Sequence, residues 1–172
     1  MIQTIEYSYP TRIVESIVRN HLRVMPDDGA LYDNALRCVE NAIDVASDYT
    51  NRVICEASII AEFKAEVSTI IPMPTAPVHS VKHLYINGEE VADFGIVSNG
   101  KSAYLTISAT PSGSTMAVRV EAEVGYEDDL PGAIYQAVAI TATSFFEESA
   151  RGELPASAKA LLNPYRIYPY GV

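Results

Sequence analysis

VRVEAEVGYEDDLPGAIYQAVAITATSFFE, residues Val118–Glu147, changes its period in mid-course. Val118, Val120, Ala122 and Val124 alternate with Arg119, Glu121 and Glu123, which predicts a strand with one apolar and one wet face. Gly125 and the acidic run Glu127-Asp128-Asp129 break that alternation. Leu130-Pro131 then opens a helix to about Ala150, with proline tolerated in its first turn. Ile134, Val138, Thr141 and Phe145 line one face, Tyr135, Ala142 and Phe146 widen it, and Ile140 sits well away from it. Little polar surface remains before Glu147-Glu148. A helix apolar on most sides is buried on most sides, and in a chain this small a neighbouring subunit is expected to supply part of the cover.

Working back from Val118, the period-two grammar begins near residue 53. Val53 to Ile71 contains two apolar runs, one long or two short strands. Pro72, Pro74 and Pro77 impose an extended or turning connection that does not join a sheet interior. Asn87-Gly88 and Asn99-Gly100 are hairpin signals, because a type I′ turn needs positive φ twice. They predict strands near 79–86, 90–97 and 102–108, and Thr110–Ser114 makes a further turn.

Earlier still, the period is helical. Ile13, Val14, Ile17, Val18 and Leu22 predict a helix over 11–24 with Thr11 as N-cap. Arg12, Arg19 and Arg23 fall within about 40° of each other on its opposite face. That stripe reads as a solvated face, or as a surface for an acidic partner or DNA. Met25–Gly29 breaks the pattern and offers an aspartate cap to a second helix, about 29–50. There Leu31, Ala35, Cys38, Ala42, Val45 and Tyr49 form one line flanked by Val39, Ile43 and Ala46, and Thr50-Asn51 ends it. The first ten residues carry no clear assignment. Beyond the long helix, Gly152 ends it and Leu154-Pro155 starts a short helix through Leu161-Leu162.

The expected fold is α+β. Two N-terminal helices, a long C-terminal helix and a short one form a helical core (11–51 and 131–163), interrupted by an antiparallel β-meander (53–126). The whole is read as one domain over 1–172, with a tail at 164–172. From Asn163 that tail holds three tyrosines and two prolines, too aromatic for ordinary disordered polymer. Pro164 and Pro169 lower the entropy lost on ordering. Tyr165, Tyr168 and Tyr170 supply rings with a polar tip, and Arg166 a forked cation. Pro164, Tyr165, Arg166, Tyr168 and Tyr170 are therefore the expected partner-binding residues, in a segment ordered chiefly by its partner. The competing reading folds the tail back over its own core.

With 172 residues, 48% of them apolar, the chain can build a real core. No run of 18 apolar residues suggests a membrane span, and the N-terminus lacks a secretory pattern, so the expectation is a protein cytosolic when made. Twelve basic against 22 acidic residues give a formal net charge of −10. That argues against a protein that grips nucleic acid, since phosphate contacts need Lys and Arg. It suits equally a soluble acidic protein and an acidic conduit past which DNA slides. Cys38 falls on an apolar helix face, and Cys38 and Cys55 form neither a disulfide framework nor a zinc spacing.

Enzyme chemistry finds no footing. His79 and His83 lie about 13 Å apart on a strand, too far for one metal. His21 has no ligand partner at useful spacing. Gly95–Ser102 spells GxxxxGK[ST], but the strand-like Ala103–Ile107 follows where a phosphate loop requires a helix. Ser112, Ser114 and Thr115 sit in a turn without a nucleophile elbow. Adjacent carboxylates at Glu89-Glu90, Asp128-Asp129 and Glu147-Glu148 read as solvated charge. The expectation is no catalytic residue, no cofactor and no metal.

Several phrases in order resemble the head–tail connector (adaptor, head completion) family of tailed bacteriophages. They are HLRV (His21–Val24), DYTNRVI (Asp48–Ile54), IIPMPTAPVHSVKHLYI (Ile70–Ile86), the Val118–Glu147 stretch, and LPASAKALLNPYRIY (Leu154–Tyr168). The resemblance covers roughly residues 20–168, and no single phrase is chemically diagnostic. It implies a structural, non-catalytic protein of the virion neck, assembled in the host cytoplasm. Such a protein binds beneath the portal protein as a ring, commonly dodecameric, with a monomer among the states expected when free. It extends the DNA channel, through which DNA passes without specific binding, and docks a tail-side connector or stopper protein. No membrane is involved. In such a ring acidic side chains should dominate the lumen, with Glu121 and Glu123, or Glu127, Asp128 and Asp129, as candidates. The alternative is a monomeric protein- or peptide-binding module using the sheet face and the tyrosine-rich tail.

Overall fold

The switch of period near residue 53 is also where the chain passes from one compact unit to another. The computed structural model describes residues 2–99, 102–109, 111–126, 130–148 and 152–167. One unit is helical and comprises Tyr9–Cys55 with the segment that begins at Tyr126; the other joins the N-terminal strand to Glu56–Gly125. The α+β class, with helices flanking antiparallel strands, is the one expected from the periods.

In the helical unit, α1 (Thr11–Ile17) runs into a π-helical turn (Val18–Leu22). Ile13, Val14, Ile17 and Val18 are buried, as their spacing requires. Thr11 is not the N-cap. Pro10 holds that place, and its carbonyl accepts the amides of Ile13 and Val14, both at 3.0 Å. The aspartate cap is likewise displaced. Asp28 Oδ2 accepts the Met25 amide at 2.7 Å and closes the 3-10 turn Pro26–Asp28, while Gly29 (φ 57°) precedes α2.

Helix α2 (Ala30–Thr50) buries Ala35, Cys38, Val39, Ala42, Ile43, Ala46 and Thr50. The stripe is therefore rotated from the expected line towards Val39 and Ile43. Leu31, at the first turn, is 50% exposed, and Val45 and Tyr49 are half-buried. Helix α2 packs against α3 (Gly132–Glu148), and its buried Ala35, Ala42 and Ala46 keep its packed surface low. Helix α3 buries Ile134, Ala137, Val138, Ala139, Thr141 and Ala142. Thr141 and Thr143 return their hydroxyls to the carbonyls of Ala137 and Ala139 at 2.8 and 2.9 Å. Helix α4 (Ala156–Leu162) adds Ala158 and Leu162 to the same core.

The strand unit holds two antiparallel sheets. Here β1 (Ile2–Ser8), β2 (Glu56–Glu66), β8 (Thr115–Val124), β4 (Val78–Ile86) and β5 (Glu89–Glu90) lie in that order in one. The second has the order β3 (Ile70–Pro72), β7 (Ser102–Ile107), β6 (Phe94–Asn99). The strand expected near 90–97 is thus divided. Glu89-Glu90 pairs back onto β4, the Val91 amide donates to Leu84 O at 2.8 Å, and the chain leaves that sheet before Phe94 starts the other. Pro72 sits on an edge strand, where its missing N–H leaves no gap in the ladder.

Asn87 (φ 53°) and Gly88 (φ 88°) form the turn that their sequence predicts. Asn87 also exchanges hydrogen bonds with β8, its amide to Ala117 O at 2.8 Å and its Oδ1 from the Ala117 amide at 2.9 Å. At the second Asn-Gly, β6 and β7 pair as far as Asn99↔Ser102, with Gly100 and Lys101 outside the described residues. Ser102 begins a strand, so the phosphate-loop pattern has no helix behind it. Strand β1 had no sequence assignment. Its pairing to β2 shifts register between Thr4 and Glu6, and such a bulge breaks the alternation by which a strand is recognised.

Candidate assembly surfaces

The first site is the end of α2 with the segment after α4. The last carbonyls of a helix have no partner inside it. Asn51 caps α2 in the left-handed conformation (φ 51°), and its amide and that of Arg52 turn back to the carbonyls of Asp48 and Ser47. The next two carbonyls are taken by the tail. Arg166 Nε donates to Tyr49 O at 3.1 Å, and the Ile167 amide to Thr50 O at 2.8 Å. Tyr49 Oη donates to Asn163 Oδ1 at 2.6 Å, and Asn51 Nδ2 to Ile167 O at 3.0 Å. The Arg166 guanidinium lies 4.8 Å from the centre of the Tyr49 ring, placing a cation at the negative end of the helix.

Arg52 fixes this clasp from beneath. It is only 4% exposed, and its Nε donates to the carbonyl of Tyr165. Burial lowers the guanidinium's affinity for its proton, while Tyr126 and Tyr165 act in the opposite sense. Tyr126 is itself buried, which raises its hydroxyl pKa. A charge held there needs its hydrogen bonds. For Asn163–Ile167, then, order comes from the chain's own α2. Of the expected partner-binding residues, Pro164 is exposed and Tyr165 and Arg166 are half-buried in the clasp. Tyr168 and Tyr170 lie outside the described residues.

The second site is the wet face of the five-stranded sheet. Arg119, Glu121 and Glu123 of β8 stand opposite Tyr85, His83 and Ser80 of β4. Lys82 Nζ lies 2.8 Å from Glu123 Oε1, and Ser80 Oγ donates to Glu123 Oε2 at 3.0 Å. The Lys82 bond, then the Ser80 bond, hold the Glu123 carboxyl below the usual range. Arg119 Nη2 donates to Glu121 Oε1 at 3.1 Å and its guanidinium lies 5.8 Å from the Tyr85 ring centre. Glu62, Lys64, Tyr85, Ala117 and Arg119 line an open groove there. Glu121 and Glu123, expected as a repelling wall, are thus each matched by a cation. Glu127, Asp128 and Asp129 lie outside the described residues.

His79 and His83 go separate ways. His79 Nε2 meets the Gly125 carbonyl and His83 Nδ1 lies 2.8 Å from Glu90 Oε1. Among the described residues no group of three or more His, Cys, Asp or Glu is placed to hold a metal ion. The sequence reading missed Tyr49 and Arg52 as the tail's anchors. The signal was faint: an arginine directly after a helix-ending Asn and directly before the apolar Val53-Ile54-Cys55.

Solved structures share this fold over nearly the whole chain. A chain from the neck of an empty gene transfer agent (GTA) particle computed with C6 symmetry matches with a TM-score of 0.71 and 21% identity, covering 98% of this chain and 96% of that one. A chain from the virion of the native GTA particle matches at 0.70 and 18% identity, with the same coverage. A third, from the neck of the native particle computed with C12 symmetry, matches at 0.66 and 20%, again covering 98% and 96%. No protein-family model and no curated protein matches the chain.

Proposed function

We propose that this chain is a structural head–tail connector of a tailed-phage-like particle. It sits beneath the portal protein as a ring, extends the DNA channel and offers its lower surface to a tail-side connector or stopper. The single observation that carries this reading is end-to-end agreement of fold with chains from GTA necks, 98% of this chain against 96% of theirs. Those necks were computed with sixfold and twelvefold symmetry, which suits a ring of this chain. The net charge of −10 is consistent with DNA that passes without being held. In this reading Pro164, Tyr165 and Arg166 form the fixed base from which Tyr168 and Tyr170 reach a partner, in the virion neck.

Purified portal rings test the proposal directly. Titration with the full chain should saturate at a whole-number stoichiometry set by the ring, and electron micrographs should show added density at one end only. A chain that stays monomeric and binds no portal at any concentration, yet captures a peptide on its sheet face, would replace the connector with a monomeric binding module.

A further inference from the structure

The two sheets end in four edge strands among the described residues, and three of the four are guarded. An open edge carries main-chain donors and acceptors that pair with any extended segment, and proteins blunt it with bulges, charge, proline or shortness. Strand β1 shifts register between Thr4 and Glu6, β5 is two glutamates long, and β3 is three residues long with Pro72 in it. Strand β6 has none of these guards. Its residues, Phe94–Asn99, pair with β7 without a shift, none is charged or a proline, and Gly95, Ile96, Val97 and Ser98 are exposed. The charge just before it, Asp93, already accepts the Ser108 hydroxyl. On β7, Ala103 O and the Ile107 amide bond towards β3, to the Met73 amide at 2.9 Å and to Thr69 O at 3.0 Å. By antiparallel alternation their partners Ser98 and Phe94, with Ile96 between them, turn their own amides and carbonyls away from β7, where no described strand meets them. The inner face of that sheet is unfinished at the same edge. Ile71, Leu105 and Ile96 stand in one row across the three strands, the first two fully buried and Ile96 37% exposed. One more strand would complete the row.

We propose that β6 of one copy takes Tyr168–Val172 of a neighbouring copy as a fourth, antiparallel strand. The inference rests on the connector reading and names a contact that closes its ring. The segment reads Tyr-Pro-Tyr-Gly-Val, without charge and with Tyr168, Tyr170 and Val172 at every second place. Pro169 keeps Tyr168 out of the α region. An added strand is itself an edge, and proline is tolerated there when its nitrogen faces outward. That condition sets the phase of the pairing. Tyr168, Tyr170 and Val172 turn their backbone to β6 and their side chains to the side of Ile96, where the row is open. Ile167 is tied to α2 through Thr50 and Asn51, and five extended residues beyond it span about 17 Å. A tail and a sheet edge are two different patches on one chain, as the heterologous contact of a ring requires. Pairing of β6 with a second β6 would give a closed twofold pair and no ring.

The test assembles the chain on purified portal rings, after each variant's thermal midpoint is checked. Ile96→Lys puts a charge on the open row, and truncation after Ile167 removes the incoming strand. Each should raise the concentration for half-occupancy of the portal about tenfold or more, and the two together no further, since they remove one contact. Val97→Lys, on the other side of the sheet, should change it about twofold or less. Chains carrying Ile96→Cys and Tyr170→Cys, differently labelled and mixed on the portal, should form a disulfide between copies; the native Cys38 and Cys55 are buried. Its yield should stand well above that of Ile96→Cys mixed with Leu31→Cys, another exposed position. Should Ile96→Lys lower the midpoint, the crosslink alone decides. Effects that multiply, or a folded Ile96→Lys chain that fills portals like the wild type, would overturn the pairing. So would disulfides only between two Ile96→Cys chains, which place β6 against its own copy, or only within one chain carrying both substitutions, which place the tail on its own β6. A wild type that fills portals while the mixed chains give no crosslink sinks the pairing alone. A wild type that occupies no portal sinks the connector reading with it.

Discussion

The helical unit and the strand unit both use arginine, tyrosine and carboxylate, but in media of different polarity. At the end of α2, Arg52 is 4% exposed and bound to a tail carbonyl. On the sheet, the side chains of Arg119 and Lys82 are 48% and 55% exposed while they pair with Glu121 and Glu123. Water screens the second set and not the first. The clasp is therefore structural, whereas the sheet's pairs can be exchanged for a partner's groups at little cost. Pairs that can be exchanged, on this comparison, belong to the sheet face.

Cutting the chain tests this most severely. Truncation after Leu162 leaves Arg52 buried without Tyr165 O and uncovers the carbonyls of Tyr49 and Thr50. It should cost about 3 kcal/mol or more, read as the unfolding midpoint in denaturant. Truncation after Ile167 keeps every bond of the clasp and should leave that midpoint unchanged while portal binding falls. Equal stability of the two truncations would erase the distinction between clasp and partner-binding tail.

A smaller effect is expected on the sheet. Lys82→Ala and Arg119→Ala should each move the thermal midpoint by about 2 °C or less, and less still in high salt. A drop of many degrees in either would show that this face is a stability element after all.

The smallest effect is one of pH. Burial first, then the bonds from Tyr9 Oη to both Asp44 carboxylate oxygens (3.0 Å each), raise the Tyr9 pKa well above its ordinary 10.0. A folded-state pKa above the unfolded value means the folded chain holds its proton longer. The resulting stability is complete below pH 10 and is lost as pH rises through the folded value. Tyr9→Phe should flatten the alkaline loss of stability of the helical unit, with no change at neutral pH in its slope against pH. An unchanged alkaline limb would remove Tyr9 as its cause.

Most of the fold was legible because it rests on local periods. β8 alternates in the sequence and in its burial, and Asn87-Gly88 turns where a positive φ pair requires it. Less legible were features set by neighbours. The exposure of Leu31 follows from what α2 packs against, and the division of residues 89–99 between two sheets from where β4 and β7 lie. The candidate surfaces were half legible. Pro164, Tyr165 and Arg166 stood out as interface chemistry, but no local rule tells a side chain that it will cap a helix more than a hundred residues earlier.

By itself, then, the sequence determined the α+β class, the principal helices and strands and the acidic balance, since these depend on residue type and spacing within a few positions. Tertiary structure alone decided that Arg52 is buried, that the tail from Asn163 to Ile167 belongs to α2, and that Glu121 and Glu123 are matched by Arg119 and Lys82. Burial and hydrogen bonding between distant segments fix those outcomes, and both depend on which surfaces the folded chain brings together.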